Sequence, residues 1–130
     1  MTTSNIKSTF QCDVQKVWDI VMAFNTCSWR SDLSKIEIIN KNQFVEYTKT
    51  GYATMFTITV VEPFKRLEFD MENTNIKGHW IGLFSQKDRE TTIDFTEHVV
   101  VKNFLLRPFG KLYLRKQQSQ YVADLRKALG

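Results

Sequence analysis

"GKLYLRKQQSQYVADLRKAL" (residues 110–129) decides the fold, because it is the longest helical pattern in the chain and a polar group interrupts its apolar stripe. At about 100° per residue, Leu114, Tyr121, Leu125 and Ala128 share one face, with Val122 and Leu129 at its edge. Gln118 lies in the middle of that face, and Gly110 adds a position with no side chain. Such a helix must be covered by another element, and an amide on its covered face raises the question of what it meets there.

Upstream, between Lys35 and Lys102, the period changes to two, with turn-like breaks at "NKNQ", "TKTG", "PFKR", "NTNIKG" and "KDRE". Six strands follow. In "RLEFDMEN", Leu67, Phe69 and Met71 alternate with Glu68, Asp70 and Glu72, so the sheet has one buried and one wet face. Treating each break as a symmetric, even-length loop sets the hairpin registers. Ile38 then opposes Val45, Ile36 opposes Tyr47, Val45 opposes Thr54, and Tyr47 opposes Tyr52. Val60 opposes Phe69 and Ile58 opposes Met71, while Phe84, Gly82 and Trp80 oppose Ile93, Phe95 and Glu97. Each pairing puts apolar residues on one face, which a one-residue slip would reverse.

Before the strands, "IKSTFQC" (6–12) has strand character. Asp13 is placed to cap "VQKVWDIVMAF", whose Val14, Val17, Trp18, Val21 and Met22 follow helical spacing. Turn residues around Trp29 and Leu33 in "NTCSWRSDLS" suggest a short second helix or a loop. With 130 residues and no linker or repeat, one domain spanning 1–130 is expected. No long apolar run occurs, and Asp13, Lys16 and Asp19 interrupt any leader pattern, so the expectation is a soluble, cytoplasmic protein without a transmembrane segment. Cys12 and Cys27 match no metal or redox spacing and read as reduced packing residues.

The net charge of +4 is concentrated in the last stretch, where Lys102, Arg107, Lys111, Arg115, Lys116, Arg126 and Lys127 face only Asp124. A basic helix can attract phosphate, anionic lipid or nucleic acid, or can be a solvated face. Aromatic residues do not interleave with these charges as on a single-strand stacking platform, so no specific nucleic acid is expected.

In this order, the elements resemble the START-like helix-grip superfamily of lipid-transfer domains, the birch pollen allergen and polyketide cyclase/dehydrase-like proteins. The residues carrying the resemblance are "VQKVWDIVMAFNTCSWRSDLSKIEI", "VVEPFKRLEF" and the closing "LRKAL". The resemblance implies an α+β helix-grip fold, a curved seven-stranded antiparallel sheet around the long C-terminal helix, with two short helices after strand 1. It also implies an apolar cavity between sheet and helix, and no single function, because the fold hosts carriers, receptors, cyclases and hydrolases.

Within that frame, Gln118 is expected on a cavity wall, with Gly110 freeing space, or else tucked against a backbone carbonyl in a filled core. Tyr47, Tyr52, Thr54, Phe56, Phe69, Trp80, Phe95 and Tyr121 complete the expected ligand-binding set, although the inward phenylalanines, Phe84 among them, also suit a filled core. Glu97 shares the inward face with Ile93, Phe95 and Val99; desolvation would raise its pKa and suit it to general acid/base work, or it is a rim residue bonded to Trp80 Nε1 or to a helix-end amide. His79 and His98 pair on the opposite face without a third ligand, so no metal site is expected, and no cofactor either. No GxSxG, P-loop or dinucleotide pattern occurs.

The expected function is binding or transport of a small hydrophobic or amphipathic ligand rather than catalysis. The alternatives are a cyclase/dehydrase-like enzyme using Glu97, and an interaction module presenting the basic helix with exposed Ile39 and Phe44 to a macromolecular partner.

Overall fold

In a computed structural model describing residues 1–130, the chain forms a seven-stranded antiparallel sheet in the order β1-β7-β6-β5-β4-β3-β2. The strands are β1 (Thr2–Phe10), β2 (Leu33–Asn40), β3 (Gln43–Thr48), β4 (Ala53–Glu62), β5 (Arg66–Glu72), β6 (Ile76–Lys87) and β7 (Glu90–Val101). Helix α1 (Val14–Val21) follows β1; a 3-10 turn (Phe104–Phe109) leads into α2 (Gly110–Leu129), the 20-residue helix the sheet grips. This is the helix-grip arrangement expected from the element order.

Asp13 stands at the N-cap of α1 with extended backbone, but its side chain does not cap. Instead Gln86 does so from β6, accepting the Val14 N–H at 2.9 Å and donating to Asp13 Oδ1 at 3.2 Å. Helix α1 stops at Val21, and residues 22–32 form turns, so the second short helix is absent. This loop is pinned from outside itself: Asp124 of α2 accepts the Ser31 N–H at 2.8 Å and the Ser31 hydroxyl at 2.9 Å.

The β6–β7 register is the expected one, with Trp80 opposite Glu97, Gly82 opposite Phe95 and Phe84 opposite Ile93. The earlier hairpins differ: the β3–β4 and β4–β5 loops hold an odd number of residues, and β2–β3 starts in the expected register at Asn40 and Gln43 but is shifted by a bulge. Tyr47 pairs with Ala53 and Val45 with Met55, across a turn whose Gly51 sits at φ 86°. Glu62 pairs with Arg66 across three residues with Phe64 at φ 66°, a three-residue hairpin with one left-handed position. A bulge between Ile58 and Val60 then brings Ile58 opposite Phe69 and Phe56 opposite Met71. β2 is irregular as well, with Ile36 opposite Glu46 and Ile38 opposite Phe44.

The net result at the cavity is a reversal of β3: Phe44, Glu46 and Thr48 point into the grip while Tyr47 points out, and past the bulge Val60 shifts from Phe69 to Glu68. Phe44, expected to be exposed, is 2% exposed; Ile39 is exposed as expected. The core unites Phe10, Val17, Trp18, Leu67, Phe84, Ile93, Phe95, Leu114 and Leu125 into one apolar body.

Candidate functional site

At one end of the grip, side chains fill the space between sheet and helix. At the other they leave a cavity of about 130 Å³. Its apolar wall is a row of touching rings: Phe24 stacks on Phe44 at 4.4 Å, Phe44 on Phe56 at 5.0 Å, and Phe69 on Trp80 at 4.6 Å, with Phe56 meeting Phe69 edge-on. Phe95 continues the row to Tyr121, and Trp29 closes on Tyr121 from the loop after α1. Gly82 makes part of this possible. A Cβ there would lie 2.3 Å from the Trp80 ring, so only glycine lets that indole fold across β6.

A charged cluster sits among these rings. Arg30 reaches Glu46 at 3.3 Å and Asp32 at 3.1 Å, and its guanidinium lies 4.7 Å from the Tyr121 ring centre. Burial disfavours the Arg30 charge, but Glu46, Tyr121 and Asp32 more than offset this and push its pKa up. Glu46 is raised despite Arg30, because burial is the larger effect. Burial pushes the Tyr121 phenol up too.

Glu97 projects from β7 into this cavity as expected, beside Arg30 and Glu46. Burial pushes its carboxyl up to about 7, with Arg30 lowering it and Glu46 raising it in smaller measure. Neither the Glu97 carboxyl nor the Tyr121 hydroxyl makes a hydrogen bond within the protein; both face the cavity. A carboxyl poised near neutrality in a desolvated pocket can accept or donate a proton or hydrogen bond.

Of the other expected lining residues, Thr54, Phe56, Phe69, Trp80, Phe95 and Gln118 also meet the cavity. Tyr52 does so through its ring, while its hydroxyl donates to Asn73 Oδ1 at 3.2 Å and pairs with the Thr74 hydroxyl at 2.7 Å. Thr54 accepts from Asn73 Nδ2, so both hydroxyls serve the rim. Gln118 combines its two expected places: it lines the cavity, yet it accepts the Ser4 hydroxyl at 2.7 Å and donates to the Ser4 carbonyl at 3.1 Å. Its amide bolts α2 to β1 and offers the cavity little free polarity. Gly110 packs against Val101 and Thr2 instead of opening space. Tyr47 is the departure: the reversal of β3 turns it outward, with Lys35 Nζ 4.7 Å from its ring centre.

The same reversal brings in Glu46, which alternation had not marked. Arg30 and Asp32 come from an irregular loop, where neither period nor motif points inward. Tyr113 and Gln117 of α2 are exposed lining residues and mark where the cavity meets solvent. Across the sheet, His79 and His98 oppose one another but hold separate partners: Glu68 and Asp70 for His79, Thr3 for His98. No cluster of three or more metal-ligating His, Cys, Asp or Glu side chains forms.

No model of a known protein family matches the chain, and no curated protein does so. Solved structures match it along nearly its whole length. A START superfamily protein from Mycobacterium smegmatis superposes with TM-score 0.84 at 13% identity, covering 98% of this chain and 96% of that one. A conserved protein from Geobacillus kaustophilus gives TM-score 0.84 at 14% identity, covering 98% and 95%. DynU16, from the dynemicin biosynthetic locus, gives TM-score 0.79 at 13% identity; this chain is 98% covered and spans 46% of that one. At such identities the likeness is one of fold.

Proposed function

We propose that this protein binds a small, flat, largely apolar molecule carrying one hydrogen-bonding or basic group. The observation that carries this reading is the Glu97 carboxyl, left without a protein partner at the wall of an aromatic cavity. A carboxyl at a partly desolvated cavity wall gains from a partner, and a ligand's amine, hydroxyl or amide would supply one. The stacked rings favour a planar ligand by dispersion and quadrupole contacts. A cavity of about 130 Å³ resembles in size those that accept a single benzene-like ring, so a long acyl chain would enter only after the mouth opens.

Titration of single- and double-ring amines and phenols, followed by tryptophan fluorescence and by NMR shifts of Trp80 and Phe95, tests this. Binding should fall by about tenfold in Glu97→Gln for amines. Thr54→Trp, which puts a ring into the space, should abolish it for every ligand. Affinity untouched by either substitution would refute a ligand site here.

A second reading, a cyclase/dehydrase-like enzyme, is favoured by the same carboxyl, because a pKa of about 7 suits a group that both takes and gives a proton. Under that reading Glu97→Gln leaves ligand binding largely intact and removes turnover.

A further inference from the structure

The segment joining β7 to α2, "KNFLLRPFGKLYLRK" (102–116), holds the largest group of exposed apolar side chains in the molecule. Phe104 is 68% exposed, Leu105 66%, Phe109 62% and Leu112 70%, and none of the residues of the 3-10 turn is buried. Polar side chains there would cost folding nothing, so the core does not explain these residues. Their backbone is fixed, because Asn103 caps the turn by accepting the Leu105 N–H at 3.0 Å and Arg107 Nε donates to the Val101 carbonyl at 3.0 Å. The side chains are held out, on an ordered ledge.

The charge around this ledge has one sign. Arg107, Lys111, Arg115 and Lys116 are exposed, none of them is in a salt bridge, and no acidic residue occurs between Glu97 and Asp124. Lys102 is the exception, engaged by Glu72 at 2.8 Å. On α2, Gly110, Leu114 and Gln118 face the sheet; Leu112 and Lys116 point the opposite way, with Lys111 and Arg115 to one side and Tyr113 to the other.

We propose that this ledge docks the protein on an anionic lipid surface. Protruding Phe and Leu with a rim of Lys and Arg is the chemistry of a helix that lies in the headgroup region, where apolar burial and charge attraction add. A second copy of the chain fits less well, because a two-fold contact through the ledge would set Lys111 and Arg115 against their own like charges. No helix is long and apolar enough to cross a bilayer, so the contact is peripheral. Docking brings the cavity mouth to the lipid, since Tyr113 belongs to both the ledge and the cavity lining. That orientation serves ligand exchange only under the binding function proposed above; the docking itself stands on the ledge.

Co-sedimentation of the full chain with vesicles of phosphatidylcholine alone, and with phosphatidylglycerol added, tests the proposal without any cavity ligand. Binding is expected with the anionic vesicles, absent with the neutral ones, and weakened by added salt. The pair Lys111→Glu and Arg115→Glu should lower the affinity more than about tenfold, at about a factor of five or more per charge. Phe104→Ser with Leu112→Ser should lower it by about tenfold or more. These side chains are exposed, so thermal unfolding should be unchanged in both variants. Failure to bind anionic vesicles overturns the proposal, and so does equal binding by the parent and both variants. A dimer that either variant dissolves, with vesicles ignored, would overturn it in favour of self-association.

Discussion

The two ends of the grip use the same sheet and the same helix differently. At the α1 end, Trp18 meets Phe84 edge-on at 5.0 Å, and Leu67, Ile93 and Leu125 are fully buried. At the other end, Phe56, Phe69 and Trp80 form an equally apolar wall, but it encloses a cavity and a charged cluster. Strand β5 crosses the boundary, giving Leu67 to the filled end and Phe69 to the open one. The difference lies in what closes each end: a regular helix with an apolar stripe at one, and at the other an irregular loop carrying Trp29, Arg30 and Asp32. Apolar residues on a sheet face do not determine whether that face is filled. The element laid over it does.

Four substitutions would break or sharpen this contrast. The largest effect is expected from Arg30→Met, which leaves Glu46 buried without its counter-charge and should cost about 4 kcal/mol at neutral pH. Glu46, with its pKa raised already, would rise further; a folded-state pKa above the unfolded one destabilises as pH rises, so the loss should shrink on acidification. Urea unfolding at neutral and acid pH measures both values. A cost under about 1 kcal/mol would mean that the cluster does not hold the loop.

Next, Leu67→Ala should cost about 3 kcal/mol, and Phe69→Ala less, about 2 kcal/mol, although it deletes more atoms. The new void at Leu67 is closed on all sides, whereas that at Phe69 merges with a cavity already present. Denaturant midpoints with equal m-values give the order, and the reverse order would erase the distinction between the two ends.

The last effect is a gain in stability, and it belongs to Glu97. Its folded carboxyl keeps its proton up to about pH 7, while the unfolded chain releases it near the ordinary value of 4.5. Between those limits the folded state binds more protons, so stability falls as pH rises and the full cost is present above about pH 7. Glu97→Gln removes that cost: it should stabilise the protein by about 2 kcal/mol above pH 7, allowing for screening at the cavity, and by nothing near pH 4. A pH-independent difference would show that Glu97 is not the buried acid.

How far the site was legible follows strand by strand. The β6–β7 hairpin could be read because its strands are regular and its loop even, so Trp80, Phe95 and Glu97 fell on the inner face as read. Strand β3 could not, because "FVEYT" carries apolar residues on both faces and its register depends on Gly51 lengthening a turn. That single reversal exchanged Tyr47 for Glu46, and it put Phe44 in the core. Arg30 was hidden for a different reason: the loop that carries it is pinned through the next residue, Ser31, whose N–H donates to Asp124, 93 positions away.

The sequence by itself determined the order of elements, the gripping helix with its amide on the inner face, and the concentration of cations near the C-terminus. These are set by local periodicity and composition, which each stretch carries within itself. Tertiary structure alone decided that Gln118 is satisfied by β1, that Glu97 is left without a partner, and that Phe104, Leu105, Phe109 and Leu112 stand out beside the cavity mouth. Whether a polar or apolar group is satisfied depends on the atoms brought to it from distant parts of the chain, and no local pattern encodes those.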